Sequence, residues 1–463
     1  MMRQSDGDSM KTSPFLPSVL DSGGLSKDGY SAIERSVANG IDLISVGDIL
    51  RNGFVTPPYT VSGDIRLNAC DGVTDLVAGK TSDVLPLMDD KDYVDTYHGM
   101  LCGVMRSVCE KHRSPWLLQS GGKDSVSLAI ALAAESPGSN CVTYCGGREE
   151  DEVASARYVA NRLGLHHDVI QGDCSRAYRN YLARVQDMPL ITGDAALLSY
   201  FDIMGFLSSS QCDAVIDGIG SDIYFGYACS QRQHWERHLA IGLPGIDMLY
   251  QVPGVRKSFH ACYLLSTLAM TETQRIFPAS RFSDREADSI MGRNISSSSR
   301  ARLEGVVQQN SAAKRSYRDF LLTLKEIGGA AAKGSYAAAA YDVPVIFPFM
   351  DRGIVDWVIT QLPTGLRYEP NSAVNKVIVR QHIYRHLGHL PYVQKKGCFR
   401  FDLTSFATTH FDMLADMASS HHCDVLPGAK RWLTRHRKDM SNKYFASKFY
   451  LLAILLPWIA SRV

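Results

Sequence analysis

The chain has 463 residues, 45% apolar and 21% charged, with 49 basic against 48 acidic side chains. That is ordinary globular composition with material for a large core and two or three domains. The near-zero net charge excludes a global field that would draw the chain to nucleic acid or to a membrane surface. Eleven cysteines contain no C-x-x-C pair. The N-terminus, MMRQSDGDSMKTSP, has no apolar signal core and no glycine at position 2. Together these predict reduced thiols and a cytoplasmic enzyme.

In chain order, residues 1–28 are polar and rich in Gly and Ser. Short β-like pieces, DLISV (42–46) and TVSGDIRL (60–67), follow among turn residues. A helix is predicted over 91–112. The rhythm then changes: PWLLQ (115–119) reads as a strand, 124–135 as a helix, NCVTYC (140–145) as a strand and 149–163 as an amphipathic helix. HHDVI is another short strand, 176–186 and 195–209 read as helices, and CDAVID (212–217) is strand-like. Strands alternating with helices predict βαβ units and a parallel sheet. Beyond 230 the strand signals fade. SSSS (296–299) reads as a loop and the Ala-rich 328–340 as a helix. FYLLAILLPWIA (449–460) is shorter than the ~20 residues of a membrane span, contains Pro457, and reads as a buried terminal helix.

The stretch WLLQSGGKDS (116–125) ends an apolar strand in glycines and opens a helix. A Walker A loop would require Gly at 117 and Ser or Thr at 124, where Leu117 and Asp124 stand, so the P-loop is excluded. The physics of an anion site remains. Gly121 and Gly122 permit close approach of a ligand, and a helix N-terminus directs N–H groups and positive dipole at it. Asp124 beside such an anion is repulsive unless a cation intervenes, and Mg²⁺ suits oxygen ligands. VIDGIGSDIYFGY (215–227) repeats this logic, with an apolar strand ending in glycines and Asp222. Ligands of open α/β sheets bind beyond the carboxyl ends of the strands, so Asp124 and Asp222 are expected to face one cleft and share magnesium.

The S-G-G-x-D-S segment resembles the pyrophosphate loop of the N-type ATP pyrophosphatases, and VIDGIGSDIYFGY resembles the S-G-E-G-x-D-E-x-F-G-G-Y segment of asparagine synthetase. PFMDRGIVDWVITQLP (348–363), KVIVRQHIYRHLGHLPYVQKKGCF (376–399) and EDEVASARYVANRLGLHHDVI (150–170) resemble further segments of that family, in its order. The resemblance spans about 110 to 400. It implies an adenine nucleotide alpha hydrolase-like α/β fold, a twisted parallel sheet with helices on both faces. A small α+β region precedes it and a mostly helical part follows. The expected division is an N-terminal region over 1–95, akin to the end of the family's glutaminase domain, and a synthetase domain over 96–463. Within the latter, 96–230 carries the nucleotide-binding sheet and 231–463 the helical substrate part.

The resemblance also implies roles. Ser120, Gly121, Gly122, Lys123, Asp124 and Ser125 would hold the pyrophosphate of ATP, Gly218 would lie against adenine or ribose, and Asp124 and Asp222 would bind Mg²⁺. Lys376 would meet the phosphates, and Lys396 would stabilise charge on the reacting adenylate.

Three departures shape the expected function. No catalytic cysteine opens the chain, so no glutaminase activity is expected. A partner protein delivering ammonia or a peptide is one source of the amine. The glutamate of S-G-E-G is replaced by Ile219, and the glutamate that partners a tyrosine in β-lactam synthetases aligns with Pro344. Asp217 and Asp342 are the nearby alternatives as base. Lys123 is more typical of sulfate-activating and tRNA-thiolating relatives. The expected activity is an ATP-dependent, AMP-forming amide ligase of specialised-metabolite, peptide or glycan biosynthesis, similar to the glutaminase-free lasso-peptide macrolactam cyclases. Sulfur or nucleobase modification and non-catalytic nucleotide binding are the alternatives. Lesser signals are HHC (421–423) with Asp424, whose adjacency suits a metal poorly, the basic KRWLTRHRK (430–438), read as a solvated helix face, and the Asp151–Glu152 pair.

Overall fold

The computed structural model describes Thr12–Ser13 and residues 40–63, 65–67, 90–146, 150–227, 231–243, 245–246, 249, 252–277, 280–309, 317–368, 374–390, 402–419 and 424–462. Two short strands, β1 (Thr12–Ser13) and β2 (Arg66–Leu67), pair in parallel. The main sheet holds β3 (Pro115–Leu118), β4 (Asn140–Cys145), β5 (His166–Gln171), β6 (Ala214–Ile216) and β7 (Val345–Ile346). All its pairings are parallel and the spatial order is β5-β4-β3-β6-β7. The α/β class and the parallel sheet are those expected from the alternation of elements.

Helices α1 (Leu43–Asn52), α2 (Asp90–Lys111), α3 (Lys123–Glu135), α4 (Glu150–Leu163), α5 (Cys174–Arg184), α6 (Leu197–Ser209) and α7 (Ser221–Phe225) accompany the strands. The chain runs outward from β3 to β4 and β5, then crosses back to place β6 on the other side of β3. Leu117 of β3 is level with Ile216 of β6. The turns leaving these two strands therefore lie side by side where the strand order reverses, the position at which open α/β sheets bind ligands.

Three local expectations are corrected. DLISV is not a strand: Asp42 caps α1 by accepting from Ile44 N at 3.0 Å, and Gly53 closes the helix at φ 78°. Paired start and stop signals override the β-branched composition of a short run. Of TVSGDIRL, only Arg66–Leu67 is strand. SSSS (296–299) opens the helix Ser296–Gln309, because Asp288 accepts from Ile295 N and Ser296 N, both at 2.8 Å, and satisfies donors the helix end would leave open. The sheet also gains β7 from the segment where strand signals fade, a two-residue strand too short to show periodicity.

One hydrophobic cluster joins α1, the sheet helices and the C-terminal helices. The terminal helix Lys443–Ala460 is buried as expected, Pro457 included. The helix Ala429–His436 buries Trp432 and Leu433 and turns Lys430, Arg431 and Arg435 to solvent, so the basic stretch is a solvated face. Among the described residues no helix is long and apolar enough to cross a membrane.

Candidate active site

The Ser-Gly-Gly turn is built by its own serines. Ser125 Oγ accepts from Ser120 N at 3.0 Å and donates to Ser120 O at 2.9 Å, while Ser120 Oγ accepts from Gly122 N at 3.1 Å. Gly122 is the N-cap of α3, extended and without a side-chain cap. The first turn of α3 brings Asp124 and Ser125 into the lining of the cleft, whereas Gly121, Gly122 and Lys123 are not part of that lining.

The turn after β6 packs directly on this loop. A Cβ on Gly218 would meet Asp124 Cβ at 3.3 Å, tighter than ordinary contact. Gly218 therefore lies against the loop backbone as well as lining the cleft. Gly220 sits at φ 97° and admits the Met350 side chain where a Cβ would be. This sharp entry starts α7 and carries Ser221 and Asp222 inward. Ser221 Oγ donates to Asp124 Oδ1 at 2.8 Å.

Lys376 completes the arrangement. Its Nζ donates to Asp124 Oδ1 and Oδ2, both at 2.8 Å, and stands 2.8 Å from Asp222 Oδ1. The lysine is 2% exposed. Burial works against its charge, but the Asp124 and Asp222 carboxylates hold its pKa above the ordinary lysine value. Its backbone is left-handed, φ 59°, at the N-cap of the helix Val377–Leu387. Lys376 N donates to Arg367 O at 2.7 Å. The residue expected on phosphates thus bridges the two carboxylates. Two carboxylates converging beside a helix N-terminus are a donor set suited to a hard divalent ion, and with one ammonium they leave a net negative charge for it.

The cleft has a volume of about 180 Å³. Ser120, Asp124, Ser125, Gly218 and Asp222 line it together with side chains the sequence did not single out: Gln119, Tyr200, Glu326 and Lys333. Glu152 also lines it and is buried, which takes it beyond the helix-start role its position allowed. Gln119 Oε1 is buried with no hydrogen-bond partner. Lys333 is buried, 3.6 Å from Asp194 Oδ1 and 4.9 Å from the Tyr200 ring centre. A single lysine in an alanine-rich run was its one sequence signal.

Of the alternative bases, Asp217 lines the cleft, whereas Asp342 is exposed and absent from its lining. Asp217 accepts from the Tyr200 hydroxyl and, at 3.2 Å, from Ile219 N. Burial raises its pKa against those hydrogen bonds and Lys333. Glu326, half-buried at the start of a π-helical segment (Glu326–Ala331), is also raised, first by burial and further by Asp222, against Lys325. Ile219 lines the cleft at the place of the family's glutamate, and Pro344 is absent from the lining, its carbonyl accepting from Val215 N in the sheet. Lys396 and the HHC segment lie outside the described residues.

No curated protein matches the chain significantly. The family described as asparagine synthase matches residues 117–444, well over half the chain, and its span covers the glycine turn, the Asp222 turn, Lys333 and Lys376. Such membership implies ATP-dependent, amide-ligase-like chemistry. With loop, paired carboxylates and lysine gathered at the reversal point of a parallel sheet, this chain belongs to the asparagine synthase family.

Proposed function

We propose that the protein activates a carboxylic acid with ATP, releasing pyrophosphate, and passes the acyl group from AMP to an amine in specialised-metabolite, peptide or glycan biosynthesis. The observation that carries this reading is the Lys376 ammonium held between Asp124 and Asp222 at the mouth of the Ser-Gly-Gly loop. Activation is needed because a carboxylate repels nucleophiles and lacks a good leaving group.

The loop 120–125 and the α3 N-terminus receive the β- and γ-phosphates. Magnesium bound at Asp124 and Asp222 would neutralise phosphate charge. Lys376 can turn from the carboxylates to the bridging oxygens as negative charge develops on the leaving pyrophosphate. Lys333, a buried cation that lines the cleft, fits the incoming carboxylate. Its oxygen attacks the α-phosphorus and the bond to the β-phosphate bridging oxygen breaks. The amine then attacks the acyl carbon, AMP leaves, and the amine's proton goes to a cleft carboxylate. Glu326 suits that task better than Asp217, whose two oxygens already accept from Tyr200 and Ile219. A carboxylate with a raised pKa is the better base near neutral pH. Lys396 is assigned to the adenylate by its place in the sequence.

ATP–pyrophosphate exchange across a panel of carboxylic acids tests the reading. Exchange that depends on one class of acid is the expected result. Exchange that appears only with sulfate or RNA would move the protein to the sulfur- and nucleobase-modifying relatives that also carry Lys at position 123.

A further inference from the structure

Outside the cleft, three imidazoles meet between two helices. His98 comes from α2, and His382 and His386 come from one face of the helix Val377–Leu387, at the i and i+4 spacing that aligns side chains on a helix. One ring nitrogen from each histidine lies within 4.8 Å of those of the other two. His98 Nδ1 is 3.0 Å from His382 Nε2, so a single proton lies between two nitrogen lone pairs. We infer that His98, His382 and His386 bind a divalent ion of the zinc class, which pins the helix capped by Lys376 to α2.

The surroundings are those of a ligating site. His382 Nδ1 is 2.9 Å from Ser127 Oγ, which is 3.0 Å from the Tyr97 hydroxyl. With Nδ1–H donating to Ser127, His382 presents Nε2 to the ion. Cys102 Sγ lies 3.5 Å from His98 Nε2 and 3.9 Å from Nδ1, so Nε2 is the nitrogen nearer the thiol, and Nδ1, 3.0 Å from His382 Nε2, is the ligand atom of the proposal. His382 and His98 are thus each held through a second contact, as metal-bound histidines usually are. Burial, then the neighbouring rings, pushes His382 down to about 3, and burial lowers His98 and His386 too. Arg385, whose charge acts on all three rings, is paired with Asp95 at 2.7 Å.

Zinc–nitrogen bonds of about 2.0–2.1 Å place ligand nitrogens roughly 3.3 Å apart in a tetrahedral site. His98 and His382 are already close to that. His386 is exposed and can close the remaining gap by side-chain rotation, leaving a fourth position for water. Soft-to-borderline nitrogen ligands separate this ion from the hard magnesium expected at the carboxylates.

The test uses the full chain, stripped with chelator and titrated with Co²⁺ in excess Mg²⁺, so that the carboxylate site is already filled. The expected result is one equivalent of cobalt with the intense visible bands of four-coordinate nitrogen ligation, displaced by Zn²⁺, and a rise in melting temperature with Zn²⁺. His386→Ala, at an exposed position that keeps the fold, should abolish both signals. Ser127→Ala should weaken binding about ten- to a hundredfold. Wild-type protein that shows no saturable four-coordinate spectrum, or that matches His386→Ala in both spectrum and melting shift, overturns the inference.

Discussion

Lys376 Nζ stands 2.8 Å from Asp124 on α3 and 2.8 Å from Asp222 on α7, joining residues that leave two different strands. Removing the ammonium leaves two carboxylates facing each other. Lys376→Ala should lower pyrophosphate exchange by about 10²–10³-fold, the usual cost of a fixed group at developing charge. Lys376→Arg should recover little, because a planar fork does not replace a point charge between carboxylates. Exchange kinetics on folded variants, checked by circular dichroism, decide it. Wild-type rates in Lys376→Ala would remove the lysine from the chemistry.

Glu326→Gln separates the two half-reactions. If Glu326 takes the amine's proton, amide formation should fall about 10²-fold or more while carboxylate-dependent exchange continues. Loss of both in parallel would give the glutamate a role in binding or folding instead.

Gly220→Ala should destabilise the protein and misplace Asp222. A left-handed backbone costs roughly 1–2 kcal/mol with a Cβ, and that Cβ would overlap the Met350 side chain. Adding Met350→Ala should return part of the lost melting temperature by removing the overlap but none of the backbone cost. A single variant as stable as the parent would contradict the geometry of this turn.

Asp48 provides a pH signature of folding. It is buried against Ser299, Thr56 N and Arg302, and burial raises it from 3.8 to about 6. The folded state therefore binds this proton more tightly than the unfolded chain. The resulting stability is fully present below pH 3.8 and is lost as pH rises through about 6. Asp48→Asn should flatten the stability curve across that window. Denaturant unfolding at several pH values measures it, and an unchanged slope would count against the assignment.

Lys448 is buried completely, with Nζ 2.7 Å from Glu286 Oε2 and 4.3 Å from the Tyr444 ring centre. Glu286 also caps its own helix through Ser283 N at 2.9 Å. Lys448→Ala strands a charge beside an emptied apolar site, at a cost of about 3 kcal/mol. Lys448→Met with Glu286→Gln should be milder than Lys448→Ala alone, because the remaining group is then neutral. Chemical denaturation of the two variants compares them directly.

Strand alternation, the Ser-Gly-Gly turn and Asp222 were legible because local chemistry produces them. β4 spans the residues read as strand, and α3 begins at Lys123, one residue from its expected start. Local reading failed where distant groups decide. DLISV became α1 through its caps, and Ser296 joined a helix through Asp288. No spacing in the sequence links Tyr200 to Asp217, Lys333 to the cleft, or His98 to His382, since each pair belongs to different elements. The sequence by itself determined which strand ends could hold an anion, because backbone direction and glycine freedom are local properties. Only the tertiary structure decided that Lys376, 252 residues after Asp124, supplies the cation between the carboxylates. That choice rests on burial and charge pairing, which exist only once the helices have packed.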